Sequence, residues 1–242
     1  MKKGITLSVF LVILVLLSAW PSGTGAYSSA DTLYRMYPQP PFTLETDPAQ
    51  DPLLKIASRV SPLPSSFKPT VVKPRVPIKK NAEVLLRREA ATALESLFAA
   101  AKADGMSLLA VSGYRSFQSQ KYIYARSVER NGEAKASLMS APAGASEHQL
   151  GLAVDVSSVA LEGDLRSSFA KKKEGKWLAA HCAEYGFIIR YKQDWADITG
   201  FEGEPWHLRY VGPEHAAYIA RLDVPLETYV AYLQQVYAAR PK

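Results

Sequence analysis

The sequence predicts an α+β fold, a small antiparallel sheet flanked by helices. Helical patterns run over residues 86–101, 117–129, 176–185 and 226–237. Between them lie short apolar or alternating runs of strand length at 107–111, 152–156, 187–191 and 206–211. The connections are short and irregular, and a repeating strand–helix–strand array would not give this order.

The elements follow in chain order. Lys2 and Lys3 precede an apolar run from Ile5 to Trp20, then Pro21 and small residues ending at Ala26. This is the charged, apolar, small-residue order of a secretory signal, so residues 1–26 are expected to direct export, with cleavage after Ala26 or after Ala30. The run is shorter than the about 20 apolar residues of a spanning helix; left uncleaved, it would act as a membrane anchor. With no cysteine nearby, a lipid-anchored form is not expected. Residues 27–52 are expected to be a linker and 53–242 the folded domain. Pro38 to Pro77 holds 10 of the 16 prolines and reads as an extended arm, lying on the domain surface toward its end.

Regular structure is expected from Asn81. Leu86, Ala90, Leu94, Leu97, Phe98 and Ala101 recur at helical spacing, and Gly105 stands where a C-terminal cap belongs. Ser107 to Val111 reads as a buried strand delivering Ser112-Gly-Tyr-Arg115, followed by a helix from Phe117 to Glu129 that stops at Asn131-Gly132. Residues 134–146, rich in Ala and Ser, read as a loop. Leu152 to Val156 is a strand carrying Asp155. A helix from Lys176 to Tyr185 ends at Gly186, and Phe187 to Tyr191 is a strand. The last strand, Trp206 to Val211, places Trp206, Leu208 and Tyr210 on one face and His207 and Arg209 on the other. A helix marked by Leu226, Tyr229, Leu233 and Tyr237 closes the chain.

Composition narrows the partners. The 242 residues carry a net charge of +6 and are 48% hydrophobic, as expected for a globular protein with acidic partners. The basic runs (Lys79-Lys80, Arg87-Arg88, Lys171 to Lys173) are short, scattered and without a nucleic-acid signature, so no nucleic acid is expected. Cys182 is the single cysteine, which excludes an intramolecular disulfide. Its neighbour His181 points about 100° away around a helix, so a Cys–His pair is not expected. Cys182 falls instead in the apolar series with Leu178 and Tyr185 and reads as a buried structural thiol. His181, at the helix end, is expected to meet the helix dipole.

Two motifs carry the chemistry: Ser146-Glu-His148-Gln-Leu-Gly151-Leu-Ala-Val-Asp155 and Glu204-Pro-Trp206-His207. Catalytic zinc takes three protein ligands and leaves one position for water. His148, Asp155 and His207 suit those three positions for one Zn2+ per chain, and Glu204 is left over as a base. A seven-residue step along one strand would put His148 and Asp155 on opposite faces, so the chain must turn at Gly151. Pro205 favours an extended backbone before it, which lets Glu204 face the metal without ligating it. Glu202 reads as solvated. Arg115, at a strand end, suits a substrate carboxylate or a developing oxyanion. Gln120, one turn beyond Ser116, reaches toward the same pocket. Ser146 and Trp206, within the two motifs, complete the expected substrate contacts.

Together these residues resemble the VanY-type D-alanyl-D-alanine carboxypeptidases of the lysostaphin, D-Ala-D-Ala peptidase and hedgehog group. The matching stretches are Ser112 to Ser116 with Gln120, Ser146 to Asp155, Lys176-Trp-Leu178, Tyr185 to Phe187 with Arg190-Tyr191, and Thr199 to Gly212. The resemblance implies a hedgehog/DD-peptidase-like zinc peptidase fold, with zinc ligands His148, Asp155 and His207, catalytic Glu204, and Arg115 on the substrate carbonyl or carboxylate. It further implies an exported, monomeric zinc carboxypeptidase acting on peptidoglycan stem peptides, at either a D-Ala-D-Ala or an L,D bond. Two other expectations stay open, a peptidoglycan endopeptidase and a non-catalytic zinc domain that binds wall peptides.

Overall fold

The computed structural model describes residues 36–240 together with Leu33; the expected signal and its cleavage site lie outside the described residues. Helix α1 (Arg88–Ala103) leads into β1 (Leu108–Ser112). Helices α2 (Phe117–Asn131) and α3 (Glu133–Met139) follow, and a 3-10 turn over Glu147–Leu150 enters β2 (Ala153–Ser158). Then come α4 (Lys173–His181), β3 (Phe187–Tyr191), the single turn α5 (Ala196–Thr199) and β4 (Glu204–Tyr210). The chain closes with α6 (Pro213–Leu222) and α7 (Leu226–Ala238). The four strands form one antiparallel sheet in the order β1-β2-β4-β3, the small flanked sheet that the sequence predicts.

The sheet has two faces of different chemistry. On one, Val154, Val156, Phe187, Leu208 and Tyr210 pack against Leu94, Leu97 and Phe98 of α1 and Trp177 and Leu178 of α4. Each such large apolar side chain stabilises the fold by about 1.5–3 kcal/mol on burial. On the other, strand alternation projects Asp155, Arg190, His207 and Arg209, all nearly or fully buried. A second cluster joins Ile188 and Val211 to Tyr218, Ile219, Tyr229 and Leu233 of α6 and α7.

The Pro-rich stretch is extended, as expected, but packed. Tyr37, Phe42 and Leu44, in the expected linker, join the cluster on α6 and α7. Ala57 and Leu63 enter the main core, and the Leu63 N–H donates to the Gly144 carbonyl at 2.8 Å. Arg209 Nη2 donates to the Leu53 and Lys55 carbonyls at 2.8 and 2.7 Å. Proline here sets an extended backbone that a folded surface then captures.

Two local expectations are corrected. Leu86 lies outside the first helix and pairs with Val72 as an isolated bridge; its burial, which matched helical spacing, is strand-like. Residues expected as a loop form α3, whose N–H groups start from Gly132 at φ 77°. Helix α6 begins at Pro213, with proline in its first turn, where its missing N–H costs nothing.

Candidate active site

The eight predicted residues, Arg115, Gln120, Ser146, His148, Asp155, Glu204, Trp206 and His207, line one cavity of about 300 Å3. Different elements deliver them. Asp155 of β2 stands opposite His207 of β4 in the ladder. His148 arrives from the 3-10 turn, which ends at Gly151 in the left-handed conformation, φ 71°. That turn is the break the two-ligand spacing demands, and glycine adopts it without a Cβ penalty. A bulge in β1 sets Ser112 opposite Asp155 and aims the following Arg115 at the cavity.

Ligand-competent atoms of His148, Asp155 and His207 lie within 4.8 Å of one another, and all three residues are buried. His148 Nε2 is 3.3 Å from Asp155 Oδ2, and His207 Nδ1 is 3.2 Å from Asp155 Oδ1. His148 Nδ1 donates to the Gly113 carbonyl at 2.7 Å, which fixes the tautomer with Nε2 free to ligate. Asp155 Oδ1 is buried without a hydrogen-bond partner, an orphan acceptor that a cation would satisfy. This donor set of two imidazoles and a carboxylate fits zinc.

The electrostatics support the same fit. Burial, reinforced by Arg115, lowers His148 to about 4, so the imidazole is neutral, as a ligand must be. Burial works against the Asp155 anion, but His148 and then His207 overcome it and hold the carboxyl well below its usual range. Glu204 behaves oppositely. Burial pushes it up to about 7 against the pull of His207, and its Oε2 sits 3.5 Å from His207 Nδ1. A carboxylate of this kind can carry a proton near neutral pH.

Arg115 donates from Nη2 to Asp155 Oδ2 at 3.0 Å and from Nε to Ser112 Oγ at 3.0 Å. Gln120 is almost fully buried; its amide donates to the Ala141 carbonyl at 2.7 Å and its oxygen lies 3.4 Å from Arg115 Nη1. The geometry therefore gives Gln120 a bracing contact with Arg115 as well as a place on the cavity wall. Glu202 is exposed. Outside the cavity, Cys182 is buried, and burial raises its thiol to about 12. His181 stacks on Trp177 and pairs with Glu184 at 2.9 Å.

Sequence reasoning missed part of the wall. Ile123 of α2, Met139 of α3 and Phe201 form its apolar side. The ring of Tyr191 lies 4.9 Å from that of His207. It also missed Glu147, whose side chain is fully buried beside Arg190 and Arg209. Burial would raise this carboxyl, but Arg190 and then Arg209 hold it down at about 2. Its position beside His148 was the available signal.

Comparison with known proteins gives concordant matches. The family model described as VanY, D-alanyl-D-alanine carboxypeptidase, matches residues 83–213. A Bacillus subtilis (strain 168) relative named YodJ is 41% identical over 197 residues, covering 80% of this chain and 72% of its own. The structure of the LD-carboxypeptidase LdcB superposes with a TM-score of 0.70 at 42% identity, covering 74% of this chain and 87% of that one. A variant of the vancomycin-resistance D,D-pentapeptidase VanY in complex with Zn(II) superposes with a TM-score of 0.64 at 31% identity, covering 74% and 99% of the two chains.

Proposed function

The chain belongs to the VanY family of D-alanyl-D-alanine carboxypeptidases, and from that premise we propose that it is an exported zinc carboxypeptidase removing the C-terminal D-alanine of peptidoglycan stem peptides. The observation that carries the reading is the convergence of His148, Asp155 and His207 with Glu204, a carboxyl raised to about 7, in one cavity.

We assign His148 Nε2, Asp155 and His207 Nδ1 as the ligands of one zinc. Bound there, zinc supplies Lewis acidity and brings the pKa of a water to about 7. Glu204 accepts a proton from the attacking water as the new C–O bond forms, then returns it to the leaving amine as the C–N bond breaks. Arg115 holds the negative charge that gathers on the peptide oxygen or the terminal carboxylate of the substrate, and Gln120 keeps its guanidinium in place. Ser146 and Trp206 are assigned to the substrate path. In this reading residues 1–26 are a signal or tether, the catalytic domain spans 53–242 with the segment from Tyr37 to Leu44 packed on its α6 and α7, and the protein acts as a monomer.

Similarity to both a D,D- and an L,D-carboxypeptidase leaves two substrates for one machinery, since either stem ends in a carboxylate after D-alanine. Mass spectrometry of defined penta- and tetrapeptide stems incubated with the protein decides between them. Loss of a single alanine that a chelator abolishes is expected, and the stem that shortens identifies the bond. Release of a larger peptide would replace this reading with an endopeptidase. A zinc-loaded protein that binds stems without cutting them would replace it with a binding module.

A further inference from the structure

Behind the ligand cluster lies a buried charge network that the reaction itself does not use. Glu147 Oε1 accepts from Arg190 Nε at 2.9 Å and lies 2.7 Å from Arg209 Nη1. Arg190 also forms a two-point pair with Glu227 of α7, Nη1 to Oε2 at 3.0 Å and Nη2 to Oε1 at 2.5 Å. The two arginine side chains are 2% and 0% exposed, and Glu147 is 0% exposed. Guanidiniums buried this deeply need a countercharge, because an unpaired buried charge is strongly destabilising.

The placement of these partners matters more than their number. Glu147 immediately precedes His148 on the 3-10 turn. Arg209 lies two residues beyond His207 on β4 and shares its face. Arg190 adjoins Tyr191, whose ring packs against His207. One carboxylate thus ties the segment bearing one imidazole to both strands that set the other. Within this tie the fit is incomplete: Glu147 Oε2 and Arg209 Nη1 are buried without a hydrogen-bond partner, so the pair is held by charge and packing.

We propose that Glu147 is a positioning residue which, through Arg190 and Arg209, fixes the separation of His148 and His207 and thereby the affinity of the site for zinc. The proposal rests on the zinc reading above. Glu227, on the outer side of Arg190, anchors the network to α7 and is assigned a stabilising role alone.

The test compares zinc affinity, by chelator competition on the full chain, with the melting temperature of the metal-free protein. Glu147→Gln is expected to weaken zinc binding about 10- to 100-fold and to lower kcat with little change in KM. Glu227→Gln is expected to lower the melting temperature while zinc affinity stays within about threefold, well below the loss expected of an outer-shell partner. Should Glu147→Gln fail to fold, the double variant Glu147→Gln/Arg209→Met removes both charges of the pair, and the same loss of zinc affinity is expected of it. Wild-type zinc affinity in either folded Glu147 variant would overturn the inference, as would equal losses in the Glu147 and Glu227 variants. A wild-type chain that binds no zinc would instead overturn the functional reading, and this inference with it.

Discussion

Asp155 and His207 face each other directly across the β2–β4 ladder, with Asp155 Oδ1 3.2 Å from His207 Nδ1. The sheet register itself therefore sets the spacing of two of the three proposed ligands. Asp155→Asn keeps the side-chain shape and removes the charge. The expected result is a loss of zinc affinity of at least about 100-fold with the far-ultraviolet circular dichroism unchanged, since a neutral amide is a far poorer zinc ligand than an ionised carboxylate. Calorimetric zinc titration measures it.

Glu204 is assigned the proton transfers and no ligand bond. Glu204→Ala should lower kcat by about two to four orders of magnitude while the purified protein keeps its zinc, as metal analysis alongside steady-state kinetics would show. Near-wild-type turnover in this variant would remove Glu204 from the mechanism.

The same carboxyl makes metal-free stability depend on pH. Its folded pKa, raised by burial to about 7 from an ordinary 4.5, means that the folded state holds the proton more tightly than the unfolded state. Stability is therefore lost as pH rises from about 4.5 to 7, by up to about 3 kcal/mol. Glu204→Gln removes that penalty. In chelator, the variant should match wild type near pH 4 and melt higher at pH 8, with the gap opening across the interval between.

Arg115 meets Asp155, Ser112 and Gln120 through different nitrogens of one planar group. Lysine offers a single ammonium and cannot reproduce that fork. Arg115→Lys is expected to lower kcat/KM by about 100-fold or more, comparable to the loss of one oxyanion donor, with zinc affinity near wild type.

Gly113 links backbone space to the proposed metal site. A Cβ there would lie 2.5 Å from the Leu85 carbonyl oxygen, and the Gly113 carbonyl itself accepts from His148 Nδ1. Gly113→Ala should cost about 1–3 kcal/mol of stability, as overpacking typically does, and weaken zinc binding as well. Denaturant titration and chelator competition on the same sample check both effects.

What the sequence disclosed, and what it withheld, divides along the range of the interactions. The helix over 88–103, the strands bearing Asp155 and His207, and the turn at Gly151 follow from local periodicity and from the steric requirement of the ligand spacing. The faces of β4 also followed, because alternation is a local property. The Glu147 network did not, since its arginines lie 43 and 62 residues away and buried charges look like surface charges until the sheet forms. Leu86 was misplaced because burial in a lone bridge with Val72 mimics one turn of a helix. The α3 segment, with few large apolar residues, carried too weak a period to stand out from a loop. The docking of Leu44 on α6 and α7 depends on a surface that only the assembled fold provides.

The central claim is that one zinc, held by His148, Asp155 and His207, is what lets this chain release alanine. Titrating zinc into the metal-stripped protein while counting alanine released from the stem peptide it accepts tests this most directly. Release should rise in proportion to zinc, level off at one zinc per chain, and be absent from His207→Ala at every zinc concentration. Alanine release from the zinc-free protein, or from that variant at the wild-type rate, would contradict it.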